Sequence, residues 1–459
     1  MKRNIDMLNG PLFKGILSFA IPVILTNLLQ ILFNTADLIV VGQFCGSLSV
    51  AAVSATNSLT MLIVNFFIGF SVGTGLSVAR SIGAQQKDAV SRTVHTAIPT
   101  AAICGGIVSL IGVLFSPTFL KWMDTPESVL PLSSVYMRIY FSGMIFNMLY
   151  NFSASILRAA GETKLPLFFL TASGVLNVIL NLFFVIVLKM DVAGVALATT
   201  ISQAVSAVLT LMALIRRTDD CRLIPSKMRI YSKELATVIR LGLPAGLQSS
   251  LFAIANVLIV SSINSFNSDA IISGNGAAHS LEGLLSSLTG AFSTTAINFI
   301  GQNSGAHKFD RVKKVYFTCL GCMTGVVFTT SLLIYLLREP LLSLYITDNP
   351  EALNYGIIRM CYISNFYFLL GLMDTTTGAI RGLGYSFVPM VITLMGACGL
   401  RILWIYTIFQ IPKCHTLACL YQSYPVSWII TFLVESIIFL IIVKRKENSK
   451  NLLQQRSIA

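Results

Sequence analysis

Twelve long apolar segments, separated by short stretches with charge, glycine or proline, dominate the hydropathy pattern of the chain. They fall at about 16–41, 50–79, 94–116, 135–157, 166–188, 192–215, 237–263, 275–300, 315–337, 355–380, 387–411 and 418–443. Since roughly 20 apolar residues in a helix cross the hydrocarbon core of a bilayer, each segment is predicted to span a membrane. The pattern therefore predicts an all-α integral membrane protein with twelve transmembrane helices.

An internal repeat relates the two halves of the chain. Pro22 in the first span has its counterpart at Pro244 in the seventh, and Gly83 after the second span has its counterpart at Gly305, each 222 residues later. Six spans in each half bring both halves into the membrane in the same orientation, an arrangement found among transporters. We predict four regions: an N-terminal six-helix lobe (1–215), a cytoplasmic connector (216–236), a C-terminal six-helix lobe (237–443) and a basic cytoplasmic tail (444–459).

Composition and charge agree with a membrane location and set the orientation. The chain is 55% hydrophobic and only 11% charged, whereas soluble domains have about 25% charged residues. Most of the 32 lysines and arginines lie at the termini and in alternate loops. The loops on the other side contain only Lys121, Lys189, Arg338 and Lys413. The positive-inside rule therefore predicts a multi-pass plasma-membrane protein with both termini in the cytoplasm, and the net charge of +13 does not indicate nucleic-acid binding.

An aspartate inside the first span is the most informative candidate residue. Asp37 has no basic residue near it in sequence, and a carboxylate at the centre of a transmembrane helix costs about 2.5–3.5 kcal/mol. Gln30 and Asn34 precede it at helical spacing, so the three side chains share one face. Such a residue is expected to face the bundle interior or a water-filled cavity.

Polar stripes recur in three further spans of the first half. The stripes are Asn147, Asn151 and Ser155 in the fourth span, Ser173, Asn177 and Asn181 in the fifth, and Thr199 with Gln203 in the sixth. Hydrogen bonding between helices, at about 0.6 kcal/mol per contact, would explain single residues of this kind. Because stripes of Asn and Gln accompany an aspartate, we predict a polar cavity. Its aspartate would bind either Na⁺, through oxygen ligands, or a proton, because burial favours a neutral carboxyl group.

Proline 22 lies about four helical turns before Asp37. It removes a backbone hydrogen bond and therefore marks a bend in the first span. The sequence leaves open whether Pro22 is a hinge or a static kink, and the hinge is the functional hypothesis.

The second half does not repeat the charges of the first, since Ile259 stands at the position equivalent to Asp37. Glu282 in the eighth span and Asp374 in the tenth are predicted to line an acidic cavity that attracts organic cations. Glu435 in the twelfth span and Arg401 in the eleventh have no assigned role, although Arg401 could neutralise one of the acids.

The chain resembles the multidrug and toxic compound extrusion (MATE) family over nearly its whole length. The resemblance rests on Pro22 with Thr35-Ala36-Asp37, the runs from Leu176 to Asn181 and from Gly194 to Thr199, and the Gly-Ala loops after the second and eighth spans. It implies a secondary antiporter that exports cationic organic compounds in exchange for H⁺ or Na⁺ and needs no other cofactor. It also implies that Asp37 couples the ion, accompanied by Asn177, Asn181 and Thr199. Asn181 stands where some branches have a second aspartate, so ion and stoichiometry stay open, and Asp37 is a metal ligand only if the ion is Na⁺.

Other classes of function fit less well. No GxxxxGK[ST] phosphate loop is present, so the chain has no ATP site of that type. An enzyme would need clustered histidines or acids, and the four histidines are scattered. A flippase for lipid-linked saccharides is the alternative transporter, but it would need several bases in its cleft to hold pyrophosphate. We expect small organic cations and membrane lipids as partners, no nucleic acid, and a monomer.

Overall fold

Helices make up all the regular structure of the computed structural model, which describes residues 5–346 and 349–458, the last six as helix backbone only. The long helical segments are α1 Leu12–Phe44, α2 Ser47–Gly83, α3 Lys87–Trp122, α4 Leu130–Ser142 with Met144–Ala159, α5 Lys164–Val187, α6 Asp191–Ile215, α7 Ser232–Asn264, α8 Asp269–Gly305, α9 Phe309–Leu336, α10 Pro350–Gly382, α11 Phe387–Gln410 and α12 Leu417–Ile458. Each predicted span corresponds to one segment, and the fifth, ninth and eleventh spans were predicted to end one residue beyond the observed helix. The predicted all-α fold with six helices in each half is confirmed.

Two helices extend past the boundaries of the predicted regions. Helix α7 begins at Ser232, inside the predicted connector, and α12 continues to Ile458 where a separate tail was predicted. Hydropathy marks the part of a helix that lies in lipid, whereas Lys, Glu and Gln are good helix formers that extend the helix into water. The N-terminal bases Lys2 and Arg3, which contributed to the orientation, lie outside the described residues.

Ten of the described helices are long and apolar enough to cross a membrane by length and composition. The other two segments are α4, which Gly143 interrupts, and α8. Helix α8 carries buried polar residues, among them Asn275, Glu282 and Gln302, which lower its mean hydropathy. In both segments the polar or broken stretches are buried in protein, where non-helical or polar groups are tolerated at membrane depth.

The helices group into two compact units. The first contains Leu25–Gly246, and the second contains Ile5–Ile24 together with the chain from Leu247 onward. The division therefore crosses α1 two residues after Pro22 and α7 two residues after Pro244. The predicted lobes, by contrast, were divided at the connector.

The first part of α1 belongs to the second unit because it packs on α8. The ring of Phe19 meets that of Phe299 edge-on at 5.8 Å. In the preceding segment the backbone oxygen of Met7 accepts a hydrogen bond from Asn303 at 2.9 Å. Met7, Phe19 and Phe299 lie in one apolar core with Phe292 and Phe439.

The connector belongs to the first unit because it is tied to α3. His95 Nε2 accepts a hydrogen bond from the backbone N–H of Ile224 at 3.0 Å, and Thr96 Oγ1 accepts one from Tyr231 at 3.2 Å. Arg92 pairs with Glu234 at 2.6 Å. The polar segment that separates the sequence halves is thus a packed part of the fold.

Glycines allow α2 and α7 to approach closely within the first unit. A Cβ atom at Gly69 would lie 2.7 Å from the backbone oxygen of Ala245 and from the Cα atom of Gly246, and one at Gly73 would meet the backbone of Gly242. Small residues spaced four apart are a common means of close packing between membrane helices.

Replacing Gly69 by Ala should therefore destabilise the first unit. A methyl group has no space there, and overpacking of this kind costs about 1–3 kcal/mol, so the Tm in detergent should fall. Gly106→Ala in α3 is the matched control, because nothing lies within 4 Å of the added Cβ. Its Tm should stay equal or rise, since Ala favours a helix over Gly. Equal Tm values for the two variants would contradict the close approach.

Candidate functional site

The Asp37 carboxylate is held by side chains from two other helices of the first unit. Its Oδ1 accepts a hydrogen bond from Asn181 Nδ2 on α5 at 2.5 Å, and its Oδ2 accepts one from Thr199 Oγ1 on α6 at 3.1 Å. Asn181 is fully buried, and Asp37 is partly buried. Both carboxylate oxygens thus face neutral donors.

A fourth side chain closes these contacts into a ring. Asn177 donates to Thr199 Oγ1 at 3.3 Å, and its own amide oxygen accepts from Asn181 at 3.3 Å. Asn177 and Asn181 are four residues apart on α5 and therefore lie on one face of that helix. The structure brings together the four residues that the family resemblance implied as the ion-coupling set, and their role in coupling stays a prediction.

Two tyrosines near Asp37 were not identified from the sequence. Tyr136 and Tyr140 on α4 lie within electrostatic range of Asp37, and Tyr140 is hydrogen-bonded to Gln203. Their rings stack at 6.1 Å between centroids. Their spacing of four was the available signal, but tyrosines at helical spacing are common in apolar cores. Of the predicted cavity residues in the first half, Gln203 is therefore the one linked to the surroundings of Asp37, through its hydrogen bond with Tyr140.

The other predicted cavity residues of the first half are not joined to this ring. Gln30 and Asn34 are exposed and form no hydrogen bond within the described residues. Asn151 donates to Asn147 on its own helix at 2.9 Å. Their assignment to a substrate cavity stays a prediction.

The ring can hold a cation at the carboxylate. A proton needs one carboxylate oxygen. A sodium ion needs several oxygen ligands, and Asp37, Thr199 and the two amides could supply them only if Thr199 and Asn181 turned their donors away from the carboxylate. The amide oxygen of Asn181 is buried and has no hydrogen-bond donor among the described residues.

In the second unit, Glu282 has a buried basic partner that the sequence analysis did not assign. Its two oxygens accept from Arg359 Nε at 2.9 Å and Nη2 at 2.6 Å. Both residues are 3% exposed, and Arg359 also donates to Asn275 at 2.5 Å. The suggestion that Arg401 neutralises an acid is wrong for the described residues, where Arg401 has no ion pair. The cavity role of Glu282 stays a prediction. The two-point ion pair with Arg359 argues against it.

Two further acids of the second unit accept hydrogen bonds from hydroxyl groups. Asp374 accepts from Thr289 at 3.2 Å and is partly exposed. Glu435 is fully buried and accepts from Thr377 at 2.8 and 2.9 Å and from Thr393 at 3.0 Å. Of the two predicted cavity acids in this unit, Glu282 and Asp374, it is Asp374 that is partly accessible. Asp374 also forms no ion pair within the described residues.

A family model described as MatE matches residues 22–183 and 244–407 of the chain. The two matches begin at the repeated prolines, so each half matches the model separately. Together they cover well over half of the chain.

Known proteins similar to the chain include bacterial transporters. A probable multidrug resistance protein of Bacillus subtilis (strain 168), YpnP, is 27% identical over 398 residues, which are 86% of this chain and 88% of YpnP. A protein of Shewanella oneidensis named FAD transporter is 26% identical over 403 residues, 86% of this chain and 87% of that protein. A solved outward-facing structure of a multidrug resistance MATE family transporter has a TM-score of 0.91 at 19% identity, covering 98% of this chain and 99% of that one.

Glu282→Gln should strongly destabilise the second unit, because it leaves the Arg359 charge buried without its partner. Breaking a buried ion pair costs about 3–5 kcal/mol, which should appear as a large fall in Tm. The double variant Glu282→Gln with Arg359→Gln removes both charges and should recover most of the stability. If Glu282→Gln instead kept its Tm and lost only transport, Glu282 would be a cavity residue as first predicted.

Proposed function

This chain belongs to the MatE family of membrane transporters, and on that premise we propose that it is a proton-coupled antiporter that exports organic cations. Export of several drugs follows from the names of its relatives, which are multidrug resistance and multidrug export proteins. Membership places the chain in a family of membrane transporters, and we propose that it is not an enzyme. The coupling ion, the charge of the substrates and the role of each residue are the proposed part.

The observation that supports proton coupling is the ring of neutral donors around Asp37. A carboxylate accepts hydrogen bonds at both oxygens, whereas a protonated carboxyl group also donates one. A proton bound to Asp37 would therefore face the N–H of Asn181 or the O–H of Thr199. That donor would have to turn away, which would change the contacts between α1, α5 and α6. This exchange of partners is the local event through which a proton would act on the fold.

We propose H⁺ and not Na⁺ as the ion because both carboxylate oxygens already accept donors. A sodium ion at Asp37 would require Asn181 to turn its amide oxygen toward the metal and the Thr199 hydroxyl to donate to its other acceptor, the backbone oxygen of Val195 at 3.0 Å. A proton requires no additional ligand.

Organic cations as substrates are supported by Asp374. It is a partly exposed carboxyl group at membrane depth whose hydrogen bond comes from a hydroxyl group. The relative named for FAD shows that similar proteins are also named for a compound with negative phosphate groups. A flippase gains no support from Arg359, because Glu282 neutralises that base at two points.

We further propose the plasma membrane as location, both termini in the cytoplasm, and a monomer. The distribution of basic residues supports the orientation. Pro22 stays a proposed hinge, and the division of α1 into two compact units just after it supports this role.

Asp37→Asn should abolish drug resistance in a host that lacks its own efflux pumps, because the amide keeps the shape but cannot bind and release a proton. The minimum inhibitory concentration of a cationic dye should fall to that of the empty vector at equal expression. Thr199→Ala removes one hydrogen bond to a charged group and should lower transport about tenfold. Thr200→Ala is the matched control, since Thr200 donates to the backbone of Ile139. Equal protection by Asp37→Asn and the native chain would refute the coupling role.

A single proton exchanged for a monovalent cation moves no net charge. Dye transport into proteoliposomes driven by a pH gradient should therefore be unchanged when valinomycin and K⁺ set the membrane potential to zero. A second proton per dye would make transport respond to the potential, with about 2.3 kcal/mol per 100 mV.

Asn181→Asp, which restores a second carboxyl group beside Asp37, should introduce this response to the potential. Transport driven by a Na⁺ gradient at constant pH would overturn the choice of ion.

A further inference from the structure

A cavity of about 360 Å³ lies where the connector meets α3 and the start of α7. Three of its lining residues are bases, namely Arg92 on α3, Arg229 in the connector and Lys233 on α7, and one is an acid, Glu234. The lining therefore has two more positive charges than negative ones. A cavity with such an excess of one sign attracts ions of the opposite sign, so this one is suited to an anion.

The acid engages only one of the three bases. Glu234 is 8% exposed and accepts a hydrogen bond from Arg92 Nε at 2.6 Å, a contact that does not involve the two Nη groups of Arg92. Arg229 and Lys233 are exposed and form no ion pair within the part of the chain that the structure describes. Two full positive charges and the Nη groups of Arg92 are thus available to a ligand.

The backbone that carries these bases is held against α3. The N–H of Tyr231 donates to Thr96 Oγ1 at 3.2 Å, and the Cζ atom of Arg229 lies 6.0 Å from the centroid of the Tyr231 ring. Tyr231 and Ser232 also add hydroxyl groups to the lining. Guanidinium, ammonium and hydroxyl groups are the donors that proteins use to bind phosphate.

The level of the cavity along the membrane normal matches that of lipid headgroups. Arg92 lies two residues before the third apolar segment, which begins at about 94, and Lys233 lies four residues before the seventh, which begins at about 237. With a rise of about 1.5 Å per residue, the two bases lie about 3 and 6 Å outside the hydrocarbon core. Since the headgroup layer is about 5–7 Å deep on each side, a lipid phosphate reaches the level of both bases.

Exposed apolar side chains beside the bases favour a lipid over a free phosphate ion. Met228 and Ile230 flank Arg229 and are 44% and 39% exposed, and Ile230 also lines the cavity. Apolar side chains next to bases and a tyrosine are typical of segments at a membrane surface, where they contact the upper part of the acyl chains. A free ion has no apolar part that could cover them.

We propose that this cavity binds the headgroup phosphate of an anionic phospholipid of the phosphatidylglycerol type. Arg229 and Lys233 supply the charge, and the Nη groups of Arg92 supply further donors. Met228 and Ile230 contact the glycerol and the first acyl carbons. The bound lipid holds the connector, α3 and α7 together. The inference goes beyond the proposed function, and only its assignment to the cytoplasmic leaflet rests on the proposed orientation.

Arg229→Gln combined with Lys233→Gln tests the site in the purified full chain. Native mass spectrometry from a neutral detergent gives the Kd of phosphatidylglycerol from the fraction of protein with one bound lipid. Each base near an anionic lipid contributes about fivefold in affinity, so the double variant should raise this Kd about 25-fold. Phosphatidylcholine has the phosphate but no net charge, and it should bind the native chain and the variant equally weakly.

Arg222→Gln combined with Lys227→Gln is the matched control. Both bases are exposed in the same connector and do not line the cavity. The net charge of the chain falls by the same amount, yet the Kd of phosphatidylglycerol should stay that of the native chain. An equal rise of this Kd in both double variants would show general attraction by a positive surface and overturn the site. Equal affinity of the native chain for the two lipids would also overturn it.

Thermal unfolding distinguishes a lipid from a free anion. A ligand that binds only the folded state raises the Tm. Phosphatidylglycerol should therefore raise the Tm of the native chain and of the control, but not that of Arg229→Gln with Lys233→Gln. Without lipid all three proteins should have the same Tm, because the replaced side chains are exposed.

Inorganic phosphate at the concentration of the lipid should leave every Tm unchanged. If it raises the Tm of the native chain as much as phosphatidylglycerol does, the ligand is a free anion and the lipid site is refuted. Drug export does not enter these measurements, so a failure of the proposed antiport would not alter them. A lipid site that fails would likewise leave the proposed function in place.

Discussion

A polar group at membrane depth must find its partner inside the protein, because lipid offers no hydrogen bond. Many hydroxyl groups of this chain meet the requirement within their own helix, as Thr60 does by donating to the backbone of Thr56 and Thr100 by donating to Thr96. Such residues carry little information about function. The side chains that reach across to another helix are fewer, and they determine where chemistry can occur.

The buried acids meet this requirement in different ways, and the difference separates their chemistry. Asp37 and Glu435 accept hydrogen bonds from neutral amide or hydroxyl groups, whereas Glu282 is held by a guanidinium group at two points. A neutral donor can turn away at small cost when its acceptor gains a proton. A buried guanidinium group cannot lose its partner without a large penalty, so Glu282 is suited to hold the fold and Asp37 to exchange an ion.

The two halves share a backbone plan and differ in their polar residues. The prolines at 22 and 244 occupy equivalent positions, and each compact unit boundary follows one of them. Asp37, however, has an isoleucine as its counterpart, and the buried arginines Arg359 and Arg401 belong to the second unit. Because helix packing depends mainly on size and shape while ion binding depends on a few polar atoms, the scaffold can be repeated and the sites can diverge.

The sequence alone determined the twelve helices, the repeat and the residues around Asp37, because hydropathy and helical spacing are local properties that a single segment displays. Stripes on separate helices gave Asn177, Asn181 and Thr199, and the structure joins them into one ring. Only the tertiary structure decided which charges are paired. Glu282 and Arg359 are 77 residues apart, and nothing in their own helices shows that they meet, or that Arg401 forms no ion pair within the described part of the chain. The helix faces that come together are selected by the packing of distant segments, and this packing also placed the connector on α3 and the first turns of α1 in the second unit.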